Sequence, residues 1–272
     1  MPGEANRRWY ERSATVDTYA RQSHLNPGEH AFIDRFAQEL AGWSMLDIGI
    51  GAGRTTIRLA PLVGTYKGVD YAEAMVTAAK DRFGHQPELA SSISVADARR
   101  LDAFGDATFD AVLFVAQGLD SLDHRDRLTA LREMARVCRP GGYVYLSSHN
   151  LASVDRALSL RERLSELRRD RPIWKLPLGV ANHMPERLYE KVANPSVGAL
   201  RRRDHAFLVE SWPSPGVTRL YYAQPAEVLR QLVTTGLTPI TVVGDEGDDL
   251  GLGPRLASSR DLWPHYLARR GG

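Results

Sequence analysis

Cysteine is nearly missing from this chain. Cys138 is the single one among 272 residues, so no disulfide can form within it. It falls on the apolar stripe Leu128, Leu131, Met134, Ala135, Cys138 and reads as a small buried hydrophobe rather than a nucleophile. Long hydrophobic runs are also missing. The opening MPGEANRRWYERS has no apolar stretch of the kind a secretory signal needs. No run approaches the roughly 20 apolar residues that span a bilayer. The expectation is a cytoplasmic protein with no membrane partner. Charge of one sign is not in excess: 35 basic against 33 acidic residues leave +2, which argues against a nucleic-acid partner. Internal repeats and low-complexity linkers are absent. What is present, 43% hydrophobic and 25% charged residues, is the composition of a globular chain with an ordinary core. The length suits one large domain, or one domain with a sizeable insertion.

Periodicity supplies the organisation. Asn26-Pro27 opens a helix, cap then proline, with apolar face Phe32, Ile33, Phe36, Ala37, Leu40 and a stop at Gly42. Strand-like runs come next at Ser44–Ile48, Tyr66–Asp70, Ile93–Ala96, Ala111–Ala116 and Tyr143–Ser148. Helix-like runs lie between them at Arg54–Leu62, Ala72–Phe83 and His124–Val137, and Cys138–Gly142 reads as a sharp turn. Such alternation predicts an α/β fold built on a parallel sheet with helices on both faces. After Asn150 the rhythm breaks. Residues 151–171 read as one basic amphipathic helix with Ala157, Leu160, Leu164 and Leu167 on one face and a solvated arginine face opposite. Prolines 172, 177, 185 and 195 then punctuate the chain. Strands are expected at His205–Ser211 and Val217–Tyr222, joined by a turn around Pro213–Gly216. A helix from Pro225 to Thr235 ends on Gly236, and closing strands fall at Thr238–Gly244 and His265–Arg270. The acidic stretch Asp245–Asp249 lacks the full calcium-loop pattern and reads as solvated loop.

The chemistry concentrates in SMLDIGIGAGRTTIRLA, residues 44–60. A strand ends near Asp47, and Gly49, Gly51 and Gly53 form the turn after it, where a ligand can approach backbone that carries no Cβ. Asp70 ends the second strand, at the spacing from which an acid reaches ribose hydroxyls. The pattern is Asp-x-Gly-x-Gly-x-Gly rather than the dinucleotide G-x-G-x-x-G, and Asp47 at the mouth would repel a pyrophosphate. The field suits a cationic ribonucleoside.

Five stretches in order, LDIGIGAG (46–53), GVDYAEAM (68–75), VADARRL (95–101), FDAVLF (109–114) and RPGGYVYLS (139–147), resemble the class I S-adenosylmethionine-dependent methyltransferases. The resemblance is strong over residues 40–150 and looser over 224–270. It implies a Rossmann-like, mostly parallel seven-stranded sheet with an inserted cap. Residues 1–40 would be a helical lid, 41–150 and 224–272 the cofactor-binding core, and 151–223 the cap over the substrate. It further implies that Gly49 and Gly51 face the methionine moiety, with Asp47 near its amino group. Asp70 would take the ribose hydroxyls, Tyr71 and Met75 would pack at the adenine, and Asp97, beside Ala98, would take its exocyclic amine. Val115 would line the pocket, and Tyr19 from the lid would reach the cofactor. Arg54 is a candidate for the methionine carboxylate. The Asn/Asp-Pro-Pro-Tyr/Phe motif of some DNA and protein methylases is replaced here by Ala116-Gln117-Gly118-Leu119.

Methyl transfer from a sulfonium needs positioning above all. A general base matters for hydroxyl or protonated amine acceptors. His149, Asn150 and Gln117 stand at the ligand edge of the expected sheet, and one of Tyr221 and Tyr222 would face the pocket while its neighbour packs. His149 is the candidate base, with Asn150, Gln117 and Tyr222 as further catalytic candidates. The expected function is methylation of a small molecule, in specialised metabolism, by a monomer or homodimer. The alternative is a cyclase or lyase acting on the cofactor's own side chain and releasing methylthioadenosine.

Overall fold

The computed structural model describes residues 2–116, 118–159, 192–210 and 218–272. Seven strands form its central sheet: β1 (Ser44–Ile48), β2 (Thr65–Asp70), β3 (Ile93–Val95), β4 (Phe109–Phe114), β5 (Cys138–Ser147), β9 (Leu237–Val243) and β10 (His265–Arg270). Their order is β3-β2-β1-β4-β5-β10-β9. β1 to β5 pair in parallel, and β10 runs antiparallel to both β5 and β9. The expected Rossmann-like, mostly parallel seven-stranded sheet is therefore present. β4 is buried at every position, as a strand covered on both faces must be. The helices on those faces include α3 (Pro27–Arg35), α5 (Glu73–Arg82), the short α6 (Pro87–Ser91), α7 (His124–Val137) and, late in the chain, α10 (Pro225–Thr234). One core layer joins Leu46, Val112, Leu131, Met134 and Leu146, and the opposite layer joins Phe32, Phe36, Trp43, Met45 and Tyr145.

Local chemistry explains most element ends. Asn26 caps α3 through a capping box, accepting from Glu29 N at 2.8 Å while Glu29 accepts from Asn26 N at 2.9 Å. α7 spans His124–Val137 as the periodicity predicts, with Asp123 as its cap. Other expectations need correction. α3 stops at Arg35, and Leu40–Gly42 forms a separate 3-10 turn. The break lets Phe36 pack at a tilt against both Trp43 and Tyr143, with ring centroids 4.9 and 4.6 Å apart. The run expected at Arg54–Leu62 is only α4 (Thr56–Leu59) followed by 3-10 residues Ala60–Leu62, because Pro61 removes a backbone donor. Cys138–Gly142 is not a turn before the strand but a bulge within β5. Phe109 pairs with Cys138 and Ala111 with Tyr143, and Gly141 absorbs the kink at φ +77°.

A second sheet is made from β6 (His149–Asn150), β7 (His205–Glu210) and β8 (Thr218–Ala223), in the order β6-β8-β7. The single long helix expected from 151 does not form over its described part. A 3-10 turn, Leu151–Ser153, leads into α8 (Val154–Ala157), which ends there. Packing overrides the pattern: Leu151 and Val154 are buried against Leu208, Tyr222 and Leu200, the last residue of α9 (Val197–Leu200). The arginine face is not merely solvated either. Arg156 donates to the Arg260 carbonyl at 2.5 Å, and Asp155 pairs with Arg201 and Arg260. Leu160, Leu164, Leu167, prolines 172, 177 and 185, and the turn at Pro213–Gly216 lie outside the described residues. The 245–249 loop is also anchored. Asp245 accepts from Leu262 N and Trp263 N at 2.7 and 2.8 Å, and Asp249 accepts from Gly251 N at 2.8 Å.

Two helices precede the core. α1 (Pro2–Tyr10) and α2 (Ser13–Ala20) lie over the carboxyl ends of β1 and β2, with Val16, Tyr10 and Tyr19 packed on Ala52, Ala72 and Met75. Among the described residues no helix is long and apolar enough to cross a membrane.

Candidate active site

The turn after β1 is built as its residues require. Gly49, Gly51 and Gly53 adopt φ of +70°, +55° and +83°. A Cβ on Gly49 would lie 2.7 Å from Phe114 Cε2, so both angle and space demand glycine there. Gly49 N donates to Val69 O at 2.7 Å, which ties the turn to β2. Asp70 fastens it further: its two oxygens accept from Gly51 N and Ala72 N, each at 2.9 Å. Asp47 is 1% exposed. Its Oδ2 accepts from Thr55 Oγ1 at 2.6 Å and Tyr66 OH at 2.8 Å, while Oδ1 is buried without a hydrogen-bond partner. Burial pushes both carboxyls up to about 6, against the donors that favour their charged forms. A buried carboxylate with an unmet acceptor asks for a cation or donor. The residues present therefore fit a positively charged cofactor.

The two N-terminal helices complete the enclosure. Tyr19 Cδ1 would stand 3.3 Å from a Cβ on Gly51, so this ring covers the turn. Tyr10 meets Tyr19 and Tyr71 edge-on, at 5.9 and 6.1 Å between ring centroids. Met75 is 1% exposed beneath them. Two polar clasps hold these helices down, and sequence reasoning missed both. Glu11 accepts from Glu73 N and Ala74 N, each at 3.0 Å, and so caps α5, whose own N-cap is Ala72. Asn6 donates to Arg219 O at 2.9 Å and Ser121 O at 3.3 Å, which joins α1 to β8. Neither clasp has a sequence signal, because its partners lie 62 to 213 residues away.

Asp97, Ala98 and Val115, also expected at the cofactor, have partners of their own within the protein. Asp97 is clasped by Arg99 through backbone N, Nε and Nη2, and Arg99 also reaches Asp126 at 2.5 Å. Burial raises the Asp97 carboxyl, but Arg99 outweighs it and holds the group below its ordinary value. Ala98 is buried in the main core, and Val115 packs on the opposite layer with Leu113 and Tyr145. Arg54 is engaged within the protein: it holds the Glu29 carboxylate through two bonds of 2.6 and 2.5 Å and donates to His24 O. Ala116, just beyond β4, takes φ +55°, a left-handed angle unusual for a residue with a Cβ. Gln117, next to it, lies outside the described residues.

The edge beyond β5 carries an acid–imidazole pair. Asp120, on a 3-10 turn (Gly118–Ser121), accepts from both His149 N and His149 Nδ1 at 2.7 Å. An ionised carboxylate only accepts, so Nδ1 carries the proton and the ring's basic lone pair sits on Nε2. Asp120 is in turn held by Ser148 Oγ at 2.7 Å and by Arg127, both charges being fully buried. Arg127 also donates to Ser148 Oγ at 2.9 Å and to Gln231 Oε1 at 2.8 Å. Tyr222 faces His149 across the β6–β8 register with ring centroids 4.6 Å apart. Tyr221 points the other way, into the main core, beneath Arg127. The Asn150 amide is engaged at both ends, accepting from Ala152 N and donating to Asp261 O, each at 2.9 Å. Asp120 and Arg127 were not singled out from sequence. The position of Asp120 just past β4 was the available signal.

Sheet order, glycine turn and the two acids at the strand ends resemble those of the class I S-adenosylmethionine-dependent methyltransferases. Residues 45–142 match the family model described as "Methyltransferase domain". The O-methyltransferase resE of Aspergillus sclerotiorum is 35% identical over 104 residues, 37% of this chain and 38% of that protein. The 27-O-demethylrifamycin SV methyltransferase of Amycolatopsis mediterranei is 34% identical over 145 residues, 51% of this chain and 48% of that one. The match thus spans less than half the length of these curated relatives. Among solved structures, the CcbJ methyltransferase of Streptomyces caelestis superposes with a TM-score of 0.59 at 15% identity, covering 97% of this chain and 98% of its own. A methyltransferase of Clostridium acetobutylicum gives 0.60 at 13%, covering 90% and 92%. At such identities the structural likeness is one of fold.

Proposed function

We propose that this protein methylates a small-molecule acceptor from S-adenosylmethionine. The observation that carries the reading is the pairing of the two-acid glycine turn with the Asp120–His149 couple at the next strand edge. When bound, the cofactor supplies an electrophilic methyl on a sulfonium. The chain's residues do the rest. Asp70 and the Gly49–Gly51 turn hold the ribose and methionine portions. Asp47 Oδ1 offers its acceptor to the amino group. Tyr10, Tyr19 and Tyr71 exclude water. His149, oriented by Asp120, takes the acceptor's proton at Nε2, with Tyr222 packed against its ring. Asn150 positions the strand end rather than the proton. Asp97 reaches adenine only if Arg99 shares it. Residues 1–40 serve as lid and 151–223 as cap, and specialised metabolism and a cytoplasmic setting suit this chemistry.

The test is to incubate the purified protein with S-adenosylmethionine, alone and with an acceptor panel, and identify the nucleoside product by mass spectrometry. S-adenosylhomocysteine appearing only with an acceptor is the expected result. Methylthioadenosine from the cofactor alone would overturn methyl transfer and point to cleavage or cyclisation of the side chain.

A further inference from the structure

Away from the glycine turn, three side chains with metal-binding chemistry converge. His124 begins α7, His205 begins β7 and Glu227 lies in the first turn of α10. Their ligating atoms all fall within 4.8 Å of one another. We propose that His124, His205 and Glu227 form a site for a divalent transition metal of the zinc type, clamping the β7–β8 pair to the methyltransferase core.

Four features support it. First, His205 Nδ1 is buried without a hydrogen-bond partner, which costs free energy in a site with no ligand to meet it. Second, His124 has the arrangement of a supported ligand. Its Nδ1 meets Tyr221 OH at 2.7 Å, and Tyr221 OH also accepts from Gln231 Nε2 at 3.0 Å. A metal-bound imidazole is normally oriented in this way through its second nitrogen. Third, Glu227 is 8% exposed and fixed by Gln231 on Oε1 at 2.9 Å and by Arg230 twice on Oε2, at 2.6 and 3.0 Å, which leaves acceptor capacity on Oε1. Fourth, two histidines and a glutamate are a recognised zinc donor set that leaves a fourth position for water. His124 and His205 are each half-buried, so the site opens to solvent on one side.

The two imidazoles lie face to face, 4.4 Å apart and 11° from parallel. The neutral imidazole is the form that binds metal. A tetrahedral ion brings its ligand atoms to about 3.4 Å from one another. Metal binding therefore draws the cluster together and tilts the stacked rings apart. The ligands come from distant parts of the chain, so no motif spacing announces them.

The experiment uses the full chain without a histidine tag, stripped with chelator and desalted. Zinc chloride is titrated by calorimetry, bound metal is counted by elemental analysis, and cobalt(II) is added as an optical probe. One equivalent of zinc, a tetrahedral cobalt spectrum and a raised Tm with zinc are expected. Tyr221→Phe should weaken binding by about 10–100-fold, as loss of an orienting partner does, and His205→Ala by more. Absence of stoichiometric binding by the unsubstituted chain would overturn the proposal, as would equal binding by the His205→Ala variant. These readouts do not depend on turnover, so they stand or fall apart from the proposed methylation.

Discussion

At the residue scale, burial decides what the acids of the proposed cofactor site do. Asp47 and Asp70 both titrate near about 6 in the folded chain, and a cationic cofactor needs their charged forms. The raised values mean that the cofactor-free fold favours the neutral carboxyls. That stabilising contribution is fully present below the unfolded values and is lost as pH rises through about 6. Cofactor binding has the opposite sign. Affinity for S-adenosylmethionine should fall as pH drops below about 6, by up to about tenfold per pH unit for each essential carboxylate, as calorimetry across a pH series would show. Asp70→Ala removes a charged acceptor bonded to two backbone amides, and affinity should drop at least about tenfold. Near-normal binding would refute the placement of the ribose. His149→Gln should lower kcat by about 10²–10⁴-fold with cofactor affinity unchanged. An unchanged kcat across pH would remove His149 as the base.

At the element scale, the glycine turn and the buried Arg127–Asp120 pair are the sensitive points. Gly49→Ala combines a φ of +70° with a 2.7 Å approach to Phe114, and should cost about 1–3 kcal/mol in denaturant unfolding. Asp120→Asn keeps the shape but leaves the Arg127 charge without its partner, a loss of about 3–5 kcal/mol for a buried pair. It should also change the pH profile of kcat by relaxing the His149 tautomer, an effect that a purely structural role would not produce. A fall in Tm with an unaltered pH profile would separate the two roles. The bulge in β5 shows why boundaries misled the sequence reading: a proline and two glycines suggest a turn, yet the ladder resumes on both sides of them.

At the scale of the whole molecule, polar clasps and aromatic packing join the N-terminal helices to the core. Glu11 caps α5 and Asn6 bridges to β8, while Trp9, Tyr10 and Tyr19 supply the packing. The double variant Asn6→Ala, Glu11→Ala should raise the cofactor Kd several-fold and quicken proteolysis of the first 20 or so residues, with little change in Tm, because lost clasps loosen a surface element before they unfold a core. Unchanged proteolysis would show that the two clasps are not what holds these helices in place.

The sheet and the cofactor turn were legible in the chain before any contact was known. Buried parallel strands must be apolar almost throughout, helices between them must show a 3.6-residue stripe, and a left-handed turn must use glycine. Those constraints are local and stay visible in Ser44–Ile48, His124–Val137 and Gly49–Gly53. The pairings that set the chemistry came from folding alone. Asp120 reaches His149 across 29 residues, Arg99 covers Asp97, Glu29 takes Arg54, and His124 meets His205 and Glu227 from three separate elements. Such pairings depend on how the chain returns to itself, and side-chain chemistry at one position carries no record of the partner that folding brings to it.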